Sequence, residues 1–171
     1  MTEALGHLSR WIAAPEEVSG CTVDLFLDDG LARAAAAWPH SKAVIYRHQP
    51  AVNDVAWTYA DLDKRVSALA TGLSGLGFRP GERIAVWGPN HPEWILLEYA
   101  IARAGLVLVA LNPLYSAAEL RFALEDSNAA GVFHADRIGD VRPADILDSI
   151  RSDLPCLRRY HGEYCARYPG A

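Results

Sequence analysis

Apolar residues return at three- and four-residue intervals from Leu62 through Val66, Leu69, Leu73 and Leu76, which places them on one buried stripe of a helix. Just ahead stands Thr58-Tyr-Ala-Asp61. Thr58 can accept an N–H three residues on, and Asp61 puts negative charge in the first turn, so the pair reads as a capping-box start. Gly77 supplies the left-handed residue that ends the helix, and Asp61, Lys64 and Arg65 fall on its solvent side. After a turn at Arg79-Pro-Gly81 the pattern tightens. Arg83-Ile-Ala-Val-Trp87 is a strand, Pro92 to Ala104 is a helix apolar around most of its circumference that stops at Gly105, and Leu106 to Leu111 is an unbroken apolar run. Such a run predicts a strand covered on both faces of a parallel sheet. Asn112-Pro113 breaks it, Ser116-Ala-Ala-Glu119 forms a second capping box, Leu120 to Asp126 follows as a helix, and Gly131-Val-Phe133 is a further short strand. The alternation βαβαβ from Arg83 to Phe133 predicts an α/β architecture with a mostly parallel sheet.

Upstream the pattern is less regular. Residues 1–22 form a leader with no clear period, and a first helix from Leu31 to Trp38 is stopped by Pro39. Ala43-Val-Ile-Tyr46 and Val55-Ala-Trp-Thr58 are short, β-branched and aromatic, with Pro50 and Asn53-Asp54 between them, which predicts a hairpin.

Composition narrows the class. A chain of 171 residues with 51% hydrophobic and 22% charged residues has the balance of an ordinary globular domain. Its formal net charge of −5, with Lys42 and Lys64 as the lysines, leaves no basic patch for nucleic acid. No segment has the length and apolarity of a membrane span, since the tract from Ile95 to Leu111 is interrupted by Glu98 and Arg103. With its sparse cysteines, Cys21, Cys156 and Cys165, the chain is expected to be cytoplasmic.

The turn Gly88-Pro-Asn90 leads from a strand into a helix, the place where α/β proteins gather phosphate. Here Pro89 and Pro92 have no N–H to offer, Asn90 and Glu93 are spaced to cap the first turn themselves, and the Glu93 carboxylate repels an anion. The turn is therefore expected to be internally satisfied. Gly72-Leu-Ser-Gly-Leu-Gly77 matches neither a dinucleotide fingerprint nor a nucleophile elbow, and neither lysine lies in a glycine-rich loop. The histidines at 7, 40, 48, 91, 134 and 161 show no metal-binding spacing; Cys156, His161 and Cys165 supply three ligand types where structural zinc takes four, and they read as an irregular loop.

The order of the whole block is more specific than any one piece. Trp57-Thr-Tyr-Ala-Asp-Leu62, the helix ending Gly75-Leu-Gly77, Pro80-Gly-Glu-Arg-Ile-Ala-Val86, Pro89-Asn90, Glu93, Ala104-Gly105, Leu111-Asn-Pro113 and Glu119-Leu120 together resemble the opening of the adenylate-forming enzymes of the AMP-binding superfamily. Within them the chain resembles the N-terminal part of an acyl-CoA synthetase, a fatty-acid–CoA ligase. The resemblance covers residues 23–155 as a partial N-terminal portion of the large domain, after the leader at 1–22 and before a divergent or irregular tail at 156–171.

The resemblance implies a two-step ligation: a fatty or other carboxylic acid and ATP give an acyl-adenylate, and coenzyme A then displaces AMP, with Mg2+ as the usual metal. Family members carry this out with a Ser/Thr/Gly-rich loop ending in Lys-Gly, a Tyr/Thr-Glu motif, a ribose-binding Asp and a C-terminal lysine. None of these stands in the 171 residues. The resemblance therefore assigns no catalytic, cofactor-binding or metal-ligating residue here, and tight binding of ATP, Mg2+ or coenzyme A is not expected. It implies an inactive front end of a ligase with self-association through incompletely covered apolar surface. The other readings are a non-catalytic interaction or oligomerisation module on the same scaffold, and an independent nucleotide-binding α/β domain.

Overall fold

The computed structural model describes residues 27–47 and 54–162. A helix α1 (Leu27–Ala37) leads into an antiparallel pair, β1 (Lys42–Tyr46) and β2 (Val55–Thr58), with Tyr46 opposite Val55. The hairpin is as expected, while its turn residues at 48–53 lie outside the described residues. Helix α1 begins four residues earlier than the apolar pattern indicates, with Asp28 and Asp29 in its first turn, where carboxylates meet the positive end of the helix dipole.

The remaining elements alternate: α2 (Tyr59–Gly75), β3 (Arg83–Trp87), α3 (Pro92–Arg103), β4 (Val107–Leu111), α4 (Ala117–Asp126), β5 (Ala129–His134), α5 (Pro143–Ile150), a 3-10 turn at Arg151–Asp153 and β6 (Arg159–His161). The four strands β3 to β6 form one parallel sheet in the order β4-β3-β5-β6. Both capping boxes form: Thr58 Oγ1 accepts from the Asp61 amide at 3.1 Å, Ser116 Oγ accepts from the Glu119 amide at 3.4 Å, and each carboxylate bonds back to the cap amide. The α2 stripe of Leu62, Val66, Leu69 and Leu73 is buried, and Gly77 takes φ +82° just past the helix.

Because side chains alternate across a strand, β3 and β5 feed two cores. Ile84, Val86 and Phe133 pack against α2 and α3 through Leu69, Leu73, Leu97 and Ile101. Ala85, Trp87 and Val132 pack against α4 and α5 through Leu120, Leu124, Leu147 and Ile150. Strand β5 extends beyond the expected Gly131–Phe133 at both ends and is buried along its whole length. Gly131 is there because a Cβ would stand 2.6 Å from the Phe78 ring.

Strand β4 departs from the expectation of cover on both faces. It lies at the edge of the described sheet, with Val107 and Ala110 exposed and Val109 half-buried. An apolar run reports the strand; its neighbours decide the cover. Strand β6 lies in the stretch after Cys156, where no element was expected, and pairs Tyr160 with Val132 on the far side of β5.

Candidate functional site

In this strand order the chain leaves β3 toward β4 on one side and comes back to β5 on the other. The carboxyl ends of β3 and β5 therefore flank a topological switch point, the place where open α/β sheets hold ligands. The crevice floor is closed by the Ala135 amide donating to the Trp87 carbonyl at 3.0 Å, one step beyond both strands. Nearby, the indole N–H of Trp87 donates to the Asn112 carbonyl at 3.0 Å and ties the loop after β4 to the same end of the sheet.

On the β3 side the loop Gly88 to His91 enters α3, but its capping differs from the sequence reading. The cap residue is His91, not Asn90. Pro92 occupies the first helical turn, and a residue before proline is driven into extended geometry, here φ −150° and ψ 153°. No side chain caps the helix; His91 Nδ1 and a Glu93 carboxylate oxygen pair with each other, and the Tyr46 hydroxyl donates to the Asn90 carbonyl. The expected internal satisfaction of this helix start by side-chain caps is therefore not found, and what weighs against a phosphate there is the Glu93 carboxylate in the first turn.

On the β5 side, His134, Asp136, Arg137, Arg142, Ala144, Tyr160 and Gly162 line a cleft of about 480 Å3 at the carboxyl ends of β5 and β6. His134 is 3% exposed, and its Nδ1 lies 2.9 Å from the Ala135 carbonyl, a contact made by the Nδ1–H tautomer. Burial pulls its pKa below the ordinary histidine value, and that outweighs the opposing pull of the Ala135 bond, Asp136 and Asp148. His161 is also lowered, first by burial, then by Arg159 and His134, and its ring stacks on Phe133 with centroids 5.3 Å apart. Tyr160 donates to the Asp148 carboxylate, which raises the phenol pKa, and Arg151 lies 5.2 Å over its ring. A Cβ on Gly162 would lie 3.1 Å from the His134 ring and 3.2 Å from the Asp136 carboxylate, so any larger residue would oblige those side chains to give by a few tenths of an ångström.

Arg137 and Arg142 face Asp136 in the cleft, and Asp148 holds the Tyr160 hydroxyl behind it, so the guanidiniums and carboxylates around it balance. Sequence reasoning passed over it, since Arg137, Arg142 and Tyr160 share no spacing and meet only through the β5–β6 pairing. Cys156 is exposed and His161 is packed on Phe133, while Cys165 lies outside the described residues. Among the described residues no group of three or more His, Cys, Asp or Glu side chains is placed to hold a metal ion.

Residues 31–163 match the family model described as AMP-binding enzyme. The chain belongs to the AMP-binding enzyme family. It is 43% identical over 157 residues to a feruloyl-CoA synthase from Amycolatopsis sp, covering 79% of this chain and 32% of that protein. It is 30% identical over 132 residues to the mitochondrial medium-chain acyl-CoA ligase ACSF2 of Mus musculus, covering 77% of this chain and 21% of that protein. Among solved structures, MbtA of Mycobacterium smegmatis superposes with a TM-score of 0.75 at 28% identity, over 91% of this chain and 29% of that one. The inhibitor-bound N-terminal domain of FACL13 from Mycobacterium tuberculosis superposes with a TM-score of 0.72 at 27% identity, over 85% of this chain and 36% of that one. The chain spans about a fifth to a third of the length of these two curated relatives. The family's α/β fold is the one expected from the resemblance. No helix among the described residues is long and apolar enough to cross a membrane.

Proposed function

We propose that these residues are the front part of the catalytic domain of an acyl-CoA synthetase acting on a fatty or other carboxylic acid. In that reaction a carboxylate oxygen attacks the α-phosphorus of ATP and expels pyrophosphate; the coenzyme A thiol then attacks the acyl carbonyl and expels AMP, its proton passing to solvent or a base. Mg2+ serves to neutralise phosphate charge in such a step. The observation that carries the reading is the family match over residues 31–163, laid on a parallel sheet whose switch point opens at the carboxyl ends of β3 and β5.

Within this proposal the described residues serve as scaffold and ligand wall. They do not fit a magnesium–triphosphate site: the start of α3 is acidic, and no carboxylate cluster is disposed for a metal. ATP and Mg2+ are held by groups outside this span, and the 171 residues alone do not activate acids. The position of β4 at the edge of the sheet that the described residues form makes self-association part of the same proposal. The sparse, odd set of three cysteines in the sequence supports a cytoplasmic location within the same proposal.

The test has two arms. The chain is incubated with ATP, Mg2+ and a panel of fatty and aryl acids, and pyrophosphate is measured; none is expected. Residues 31–163 are then placed in the full-length Amycolatopsis feruloyl-CoA synthase in place of its matching region, and the chimera is expected to form acyl-CoA. Acid-dependent pyrophosphate from the chain alone, or a folded chimera that makes no adenylate, overturns the proposal.

A further inference from the structure

We draw no further inference here: the strongest candidate, the cleft at the carboxyl ends of β5 and β6 where Arg137 and Arg142 stand with Asp136 and Tyr160, belongs to the site already described.

Discussion

The Arg103 guanidinium on α3 donates to the Asp63 carboxylate on α2 at 2.7 Å, and the same group bonds Asp28 of α1 at 2.7 Å through Nε. It also donates to the Asp63 carbonyl at 3.0 Å. One partly buried side chain thus joins three helices. Replacing it with methionine keeps much of the volume but leaves two carboxylates near each other without their cation. Arg103→Met is expected to cost about 2 kcal/mol, between the values for exposed and buried pairs. Arg103→Lys should recover part of it, because an ammonium keeps the charge and loses the planar fork. The urea midpoints of the three proteins measure this; a change under about 0.5 kcal/mol for Arg103→Met, the range of an ordinary surface substitution, would refute it.

The Gly131 and Phe78 pair gives a second test. An alanine methyl at 131 would stand 2.6 Å and 2.9 Å from two Phe78 ring carbons and 3.4 Å from Ile84 Cδ1. Overpacking of this kind costs about 1–3 kcal/mol. Gly131→Ala should therefore lower the melting temperature clearly, and Phe78→Leu should be less harmful in that background than alone. A double-mutant cycle with no coupling would show that the ring is not what excludes the methyl.

Acid should weaken the fold through His134 and His161. Both are lowered mainly by burial, so the folded protein resists a proton that the unfolded chain accepts near the ordinary histidine value of about 6.5. The stability they contribute is fully present above that value and is lost as pH falls through the lowered folded values. Thermal melts between pH 7.5 and pH 5.5 should show the loss, and His134→Gln with His161→Gln should flatten that limb, even if the double variant starts lower. An unchanged slope in the double variant would assign the limb to other groups.

The capping carboxylates act lower on the scale. The Asp61 pKa is lowered by the backbone and side-chain hydrogen bonds from Thr58, and Glu119 likewise by those from Ser116. Their contribution is present above the ordinary carboxylate range, about 4, and disappears as pH falls through the lowered values. Asp61→Asn with Glu119→Gln should reduce stability at pH 7 and make the protein less sensitive to pH below about 4. Chemical denaturation at the two pH values separates the outcomes: an equal loss at both would mean that the carboxylate charge is irrelevant to the caps.

These cases show what was legible in the sequence. The capping boxes at Thr58 and Ser116, the α2 stripe and the turn at Gly77 are local, and residues within a few positions decide them. The family was legible because its features follow one another in order along the chain. Asn90 is the better capping side chain, yet Pro92 fixes the start of α3 and so puts His91 at the cap position, where no side chain caps the helix. The edge position of β4 and the cleft beside β6 depend on strand order, which hydrophobic periodicity does not encode. His134 reads as an isolated histidine in the sequence and becomes a buried wall of the cleft only when β5 pairs with β6.

The open side of β4 leads to the last prediction. Val107 is 47% exposed on the strand, and Phe122 and Leu114 are 66% and 84% exposed. Val109, Leu111, Tyr115, Phe122 and Ala123 line a groove between β4 and α4 of about 590 Å3. A strand edge beside apolar surface is a template for pairing with another chain. The isolated chain should therefore self-associate as concentration rises, and the average mass from light scattering should climb accordingly. Val107→Lys with Phe122→Glu places charge at two exposed positions, where little folding energy is at stake. That variant should keep the wild-type circular dichroism spectrum and run as a monomer over a wider range. A wild-type chain that stays monomeric throughout the same range would mean that this edge does not drive association, and with it the self-association part of the proposed function would fall.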